Sequence, residues 1–297
     1  MRSSAKQVQS NRVINRNRKT AFFFLLPNFL GFAIFTLVPV VWAIGLSFTK
    51  WDGSSAPIFV GLRNYIHLFQ YSSFTIAFWN TVVYTIGTVP LIILFSLVMA
   101  VVLDSGIKFS SPLRAAFFFP HISSIVAISV VWQFLYAKNG VLNDFLRALG
   151  FVNVPAWLSD AHWALPSVMI MIIWKGIGYY MIIYLAGLRS IDHSLYEAAT
   201  LDGCNGFRSF IHITVPQLRP VTFYISVMCI INSFQVFTPV YIMTKGGPGR
   251  ATTVLVLQIF TDAFENFKFG IASAEAMVLF LCILVVTLIQ FKGQKDI

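Results

Sequence analysis

The sequence predicts an all-α membrane protein with six transmembrane helices. Of its residues 57% are hydrophobic and only 11% are charged, whereas charged residues make up about 25% of an ordinary soluble domain. Six apolar stretches also reach the roughly 20 residues that a helix needs to cross a bilayer. A soluble core of comparable size would need a charged surface around it, and this composition does not supply one.

The first predicted span follows a basic segment. A secretory signal peptide also starts basic, but its apolar core has about 7–15 residues and ends at a small-residue cleavage site. The run here is far longer and lacks that ending, so it is predicted to be an uncleaved span. We therefore divide the chain into a basic N-terminal segment at 1–19 and a transmembrane domain at 20–297. The six spans are predicted at 21–48, 74–103, 112–136, 163–188, 220–243 and 269–291.

The distribution of basic residues predicts the orientation. If the N-terminus is cytoplasmic, that side carries thirteen Lys and Arg residues and the opposite side seven, with Lys175 inside a span. Cytoplasmic loops are enriched in Lys and Arg, so both termini are expected in the cytoplasm. The net charge of +10 is thereby explained by topology rather than by nucleic acid binding. The polar connection after the fourth span then also lies in the cytoplasm.

That connection is predicted to form two short helices joined by a turn. Ser194 and Glu197 have the spacing of a capping box, and Asp192 is a rival N-cap two residues earlier. Gly203 can take the left-handed conformation that ends a helix, and Asn205 can cap the next one. On pattern alone, an ordinary amphipathic surface loop fits these residues equally well.

A motif in this connection adds a family resemblance. Glu-Ala-Ala falls on Glu197–Ala199, Asp-Gly on Asp202–Gly203, and Ile-x-x-Pro ends at Pro216. The pattern resembles the cytoplasmic loop of permease subunits of ATP-binding-cassette (ABC) importers, which docks into a groove on an ATPase subunit. The resemblance implies the type I permease fold, and we call residues 189–220 the coupling loop. Its expected contact residues are Glu197, Ala198, Ala199, Asp202, Gly203, Phe207, Phe210 and Pro216.

Two positions depart from the family pattern. Asp192 stands where many members have proline, and Val215 replaces the usual leucine before Pro216. The first changes how the helix starts, and the second exchanges one apolar residue for another. Neither removes the resemblance.

A glycine-rich segment narrows the resemblance further. Gly246–Gly249 has the composition of a tight turn and is followed by Thr252 and Thr253. Its order and spacing relative to the coupling loop resemble the last external loop of carbohydrate permeases of the oligosaccharide or maltose type. A sugar is therefore the expected cargo.

Polar and aromatic residues within spans four and five are candidates for the substrate pathway. Polar groups inside a span are costly and often functional, although Asn and Gln also join helices as structural contacts. Pro239 lacks the N–H that the carbonyl of Gln235 would accept, so a kink is expected there. Glu275 either pairs with Lys175 or lies near the external interface in contact with solvent. The pathway candidates are Trp174, Lys175, Tyr179, Tyr180, Asn232, Ser233 and Gln235.

The expected function is that of a permease subunit of a sugar importer, forming half of the translocation pathway and working by alternating access in a bacterial or archaeal cytoplasmic membrane. The sequence has no P-loop and no metal-ligand motif, so we expect neither an enzyme nor a bound cofactor, with ATP-Mg held by a partner ATPase dimer. The resemblance implies two further partners, a second homologous permease and an extracytoplasmic sugar-binding protein. The alternative is a self-sufficient secondary transporter or channel.

Overall fold

The computed structural model describes residues 22–295, so the predicted basic segment at 1–19 lies outside the described residues. The first half of the chain forms α1 (Phe22–Ser47), α2 (Arg63–Gln70), α3 (Ser72–Asp104), α4 (Ser110–Ile122), α5 (Ile125–Leu135) and α6 (Val141–Ala148). The second half forms α7 (Ala161–Leu188), α8 (His193–Leu201), α9 (Gly206–Gln217), α10 (Arg219–Phe234), α11 (Thr238–Met243), α12 (Leu255–Phe260, continued by a π-helical turn at Thr261–Glu265) and α13 (Phe269–Lys295).

The helical membrane class predicted from composition is confirmed. Four helices, α1, α3, α7 and α13, are each long and apolar enough to cross a bilayer, and the number rises to six if two bent helix pairs each count as one span.

One element departs from the all-α prediction. Thr49–Lys50 and Ile58–Phe59 form β1 and β2, a short antiparallel pair. Asp52 accepts hydrogen bonds from the N–H groups of Ser54 and Ser55 in its turn, and these bonds lower the pKa of its carboxyl group.

The third predicted span is broken rather than continuous. The chain bends by 100° between α4 and α5, where Ser123 is extended with φ −68° and ψ 147°. The carbonyl groups at the end of α4 are consequently left without partners in their own helix. The break leaves a set of hydrogen-bond acceptors at the junction of α4 and α5.

The fifth predicted span is also interrupted. Helix α10 ends at Phe234, and a new helix, α11, begins at Thr238 with Pro239 in its first turn. The expected kink is therefore a complete break. Proline is well suited to the first turn of a helix because it has a fixed φ and needs no N–H partner there, so Pro239 starts a helix instead of bending one.

Helices α3 and α7 pack along each other at the centre of the molecule, and α4 packs against α7. The contact between α4 and α7 depends on Gly178, because a Cβ atom built there would overlap the backbone carbonyl of Phe117. Only a residue without a side chain lets the two backbones approach this closely.

The segment between α11 and α12 is fastened to α3. The side-chain amide of Asn80 donates to the carbonyls of Arg250 and Thr253, both at 2.9 Å. The N–H of Leu255 donates to the hydroxyl of Thr81, also at 2.9 Å. These bonds hold the glycine-rich turn at Gly246–Gly249 in place.

Candidate functional site

The coupling loop begins with a capped helix. The carboxylate of Asp192 accepts a hydrogen bond from the N–H of Ser194 at 2.9 Å. Asp192 is therefore the N-cap, and the alternative cap at Ser194 is wrong. The backbone and side-chain hydrogen bonds from Ser194 lower the pKa of the Asp192 carboxyl group. A negative charge at this position also interacts favourably with the N-terminal end of the helix dipole.

Helix α8 is terminated by Gly203, which follows the C-cap residue Asp202 and has a φ of +78°. The N–H of Cys204 donates to the carbonyl of Ala199 at 2.9 Å, and the N–H of Gly203 donates to that of Thr200 at 3.1 Å. This pair of bonds is a Schellman cap, which requires a residue in the left-handed conformation. The predicted helix end at Gly203 is confirmed.

The second helix of the coupling loop is positioned by two side chains. Asn205 accepts a hydrogen bond from the N–H of Arg208 at 2.9 Å, so it is the N-cap of α9 as predicted. The hydroxyl groups of Tyr196 and Thr214 lie 2.8 Å apart and connect α8 to α9. The two short helices therefore form one fixed unit.

This unit exposes apolar side chains. Leu201 is 90% exposed and Phe207 is 72% exposed. Exposed apolar groups concentrated at one place indicate an interaction surface. Of the predicted contact residues, Glu197, Ala198, Asp202, Gly203 and Phe207 are exposed, Phe210 and Pro216 are half-buried, and Ala199 is buried.

A cavity of about 400 Å³ lies where the breaks in the third and fifth spans meet α3 and α7. Two of the predicted pathway residues, Trp174 and Tyr179, are not among those that line it. Trp174 contacts Trp132 with ring centroids 5.5 Å apart, and Tyr179 stacks on His121 at 4.3 Å. The predicted residues that do line the cavity are Lys175, Tyr180, Asn232, Ser233 and Gln235.

Hydrogen bonds hold part of this lining in place. The amide of Asn232 donates to the hydroxyl of Tyr180 at 3.4 Å, and the hydroxyls of Thr88 and Ser233 lie 3.3 Å apart. Asn232 and Gln235 are both exposed and line the cavity. Amide and hydroxyl groups of this kind can donate and accept hydrogen bonds with a polar solute.

Lys175 is held at the break in the third span. Its ammonium group donates to the carbonyls of Pro120 and His121, both at 2.8 Å, and to that of Ser123 at 3.2 Å. An ammonium has three N–H donors, so all three are already used. Lys175 thus caps the C-terminal end of α4, where a positive charge is favourable, and it does not pair with Glu275.

This arrangement gives a prediction for transport. Replacing Lys175 with methionine should reduce uptake of neutral and uronate-bearing sugars by similar factors, because the variant loses a helix cap rather than a substrate contact. Lys175→Arg should retain more activity, since it keeps the charge and several donors. Uptake of a matched neutral and acidic oligosaccharide measures the effect. A selective loss for the acidic sugar would instead place the ammonium in contact with cargo.

Glu275 matches neither of its two predicted environments, the pair with Lys175 or the solvent-exposed interface. It is only 1% exposed, so it is not in contact with bulk solvent, and Lys175 is bonded elsewhere. Its carboxyl group lines a second, polar cavity of about 360 Å³ between the start of α3, α12 and the start of α13.

Permease proteins of two bacteria match this chain in sequence over nearly its whole length. The chain is 35% identical over 288 residues to the "Probable ABC transporter permease protein YurN" of Bacillus subtilis (strain 168), covering 95% of this chain and 98% of that protein. It is 32% identical over 280 residues to the lactose transport system permease protein LacF of Rhizobium radiobacter, covering 93% and 94%.

Residues 53–292 match the family described as "Binding-protein-dependent transport system inner membrane component". The chain belongs to this family. It is a multi-pass integral membrane protein and a permease subunit of an ABC importer. Members of this family are transport components that are not themselves catalytic. Membership favours the importer prediction over a secondary transporter or channel.

Solved structures show the same fold as this permease. It superimposes with a TM-score of 0.81 and 24% identity on a chain from a bacterial ABC transporter involved in the import of the acidic polysaccharide alginate, covering 96% of the permease and 99% of that chain. A chain from the alginate transporter in complex with an alginate pentasaccharide-bound periplasmic protein gives a TM-score of 0.79 at 25% identity, covering 94% of each.

The structure adds residues of the permease that the sequence did not indicate. His121, Phe237 and Thr238 line the cavity because they lie at the two span breaks. Leu201 joins the exposed surface of the coupling loop. Leu201 could have been identified from the sequence as an apolar residue next to the Asp-Gly pair. His121 could not, because the bend that exposes it is not apparent from the sequence.

Proposed function

We propose that the permease moves a sugar through the cavity formed at the two span breaks. The observation that carries this proposal is the lining itself, which combines the amides of Asn232 and Gln235 with the aromatic side chain of Tyr180. Sugars present many hydroxyl groups to amides and apolar faces to aromatic rings, so such a lining suits them. Relatives named for lactose and arabinooligosaccharide transport support the same class of cargo.

The coupling loop is the proposed contact with an ATPase. Its two helices are fixed to each other by the Tyr196–Thr214 hydrogen bond and expose Leu201 and Phe207. A rigid unit with an apolar surface can dock into a groove and transmit a displacement to α7 and α10, between which it lies. ATP-Mg is bound by that partner, in an ATPase dimer, and the coupling loop and both termini face the cytoplasm.

The assembly requires two further components. A second homologous permease completes the translocation pathway, and an extracytoplasmic sugar-binding protein delivers the cargo. Binding of ATP closes the ATPase dimer, and the coupling loop conveys this closure to the spans, so the cavity faces the two sides of the membrane in turn.

Purification of the tagged permease from its native host in mild detergent tests this proposal. We expect a P-loop ATPase and a second permease to co-purify, and ATP hydrolysis in liposomes to rise when the binding protein and its sugar are added. Uptake driven by an ion gradient, by this chain alone and without ATP, would contradict the proposal. A binding protein loaded with a non-sugar solute would contradict only the cargo.

A further inference from the structure

The second cavity contains a buried acidic group for which the transport mechanism gives no role. Glu275 lies in the second turn of α13 and is 1% exposed. Its Oε2 atom is buried and has no hydrogen-bond partner among the described residues. A buried carboxylate without a donor or counter-ion is strongly destabilising, so this group requires an additional partner.

A second buried carboxyl group lines the same cavity. It belongs to Asp262, in the π-helical turn after α12. Asp262 is only 8% exposed. If both groups were ionised, the two negative charges would repel each other at low dielectric, and no hydrogen would be available for a bond between them.

Asp262 is already arranged as an acceptor. The amide of Gln258 donates to its Oδ2 at 2.7 Å, and the amide of Asn266 donates to its Oδ1 at 2.8 Å. Two amide donors stabilise a carboxylate. In this pair, the group that needs to supply a hydrogen is therefore Glu275.

The basic side chains that line the cavity form no ion pair with Glu275 or Asp262 in the part of the chain that the structure describes. Arg250 donates to the hydroxyl of Ser73, and the backbone N–H of Lys268 donates to the backbone carbonyl of Asp262 at 2.7 Å. The titratable and charged side chains that face this cavity are His67, Tyr71, Lys245, Arg250, Asp262, Glu265, Lys268 and Glu275.

We propose that Asp262 and Glu275 form a proton-binding site, in which the carboxylic acid of Glu275 donates a hydrogen bond to the carboxylate of Asp262. The proton comes from water in the polar cavity of about 360 Å³ that both side chains line. Three basic side chains line the same cavity, which disfavours a metal cation as the ligand. The shared proton joins α12 to the outer end of α13.

Infrared spectroscopy of the purified, assembled importer tests the site directly. The wild type should show the C=O band of a protonated carboxylic acid at neutral pH, and isotope-labelled glutamate should shift that band. The band should disappear in Glu275→Gln, whose amide can still donate to Asp262, and remain in the control Glu265→Gln in the same cavity. Absence of a glutamate-derived band in the wild type would overturn the proposal, and this measurement needs no variant.

A stability measurement provides a second readout. The folded protein holds a proton that the unfolded chain releases at neutral pH, so the melting temperature of the wild type should fall as the pH rises. Glu275→Gln should lose this part of the pH dependence, and Glu265→Gln should keep it. Equal slopes in wild type and Glu275→Gln would contradict a shared proton, independently of which solute the permease carries.

Discussion

Replacing Gly203 with valine is expected to abolish substrate-stimulated ATP hydrolysis by the assembled importer while the spans still insert. Gly203 has φ +78°, and a non-glycine residue in the left-handed region costs about 1–2 kcal/mol, with β-branched residues disfavoured more. Relief of that strain breaks the two capping bonds to Ala199 and Thr200. The end of α8 then loses its fixed relation to α9. ATPase assays with the sugar-loaded binding protein in liposomes measure the effect.

The coupling loop offers a matched control. Gly206 is the first residue of α9, and a Cβ there would meet open space, as it would at Gly203. Unlike Gly203, Gly206 is not in the left-handed conformation. Gly206→Val therefore adds the same side chain to the same loop without the left-handed strain, and it should retain most of the stimulated ATPase activity. Asparagine tolerates the left-handed conformation, so Gly203→Asn should recover much of the activity. Wild-type coupling in Gly203→Val would show that this helix end does not transmit the ATPase movement.

Replacing Gly178 with alanine is expected to have the largest effect on stability. The added Cβ would overlap the backbone carbonyl of Phe117, and a backbone atom cannot rotate away as a side chain can. Helices α4 and α7 would separate, which also displaces the carbonyls that bind Lys175. Overpacking typically costs about 1–3 kcal/mol and occasionally more, and a clash with backbone belongs at the upper end. The melting temperature and the yield of assembled complex measure the loss.

Gly176, two residues earlier on α7, is the control for this change. A Cβ there would lie 3.4 Å from the terminal methyl group of Ile92, which is an ordinary contact with a flexible side chain. Gly176→Ala should therefore leave the melting temperature close to that of the wild type. If both alanine variants behave alike, the close approach of α4 and α7 is not what stabilises this part of the fold.

The sequence predicted those spans whose ends are determined by hydropathy and length. The span predicted at 163–188 is observed at Ala161–Leu188, and that at 21–48 is observed at Phe22–Ser47. The 100° bend in the third span was not predictable in this way. It is stabilised by Lys175, which lies more than fifty residues away along the chain, and hydropathy contains no information on such a contact.

In the candidate site, too, features that depend on nearby residues were predictable, whereas features that depend on distant contacts were not. Gly203 and Asn205 were predictable because caps depend on nearby residues. Trp174 and Tyr179, also predicted for the pathway, do not line this cavity, and their rings contact Trp132 and His121. Which face of a span meets a cavity depends on how neighbouring helices are rotated, and the aromatic composition of that span does not determine this. The shared cavity of Glu275 and Asp262 lies between two elements and was likewise not predictable.

The bonds from Asn80 and Thr81 to the 250–255 segment also impose an order on biosynthesis. They connect residues 170 to 174 positions apart. At about 5–20 residues per second, α3 leaves the ribosome roughly ten to thirty seconds before its partners exist. During that interval the amide of Asn80 lacks its final acceptors, so it needs water, lipid headgroups or an insertion factor. A chain truncated before Arg250 should therefore be a better substrate for membrane quality-control proteases than one truncated after α12.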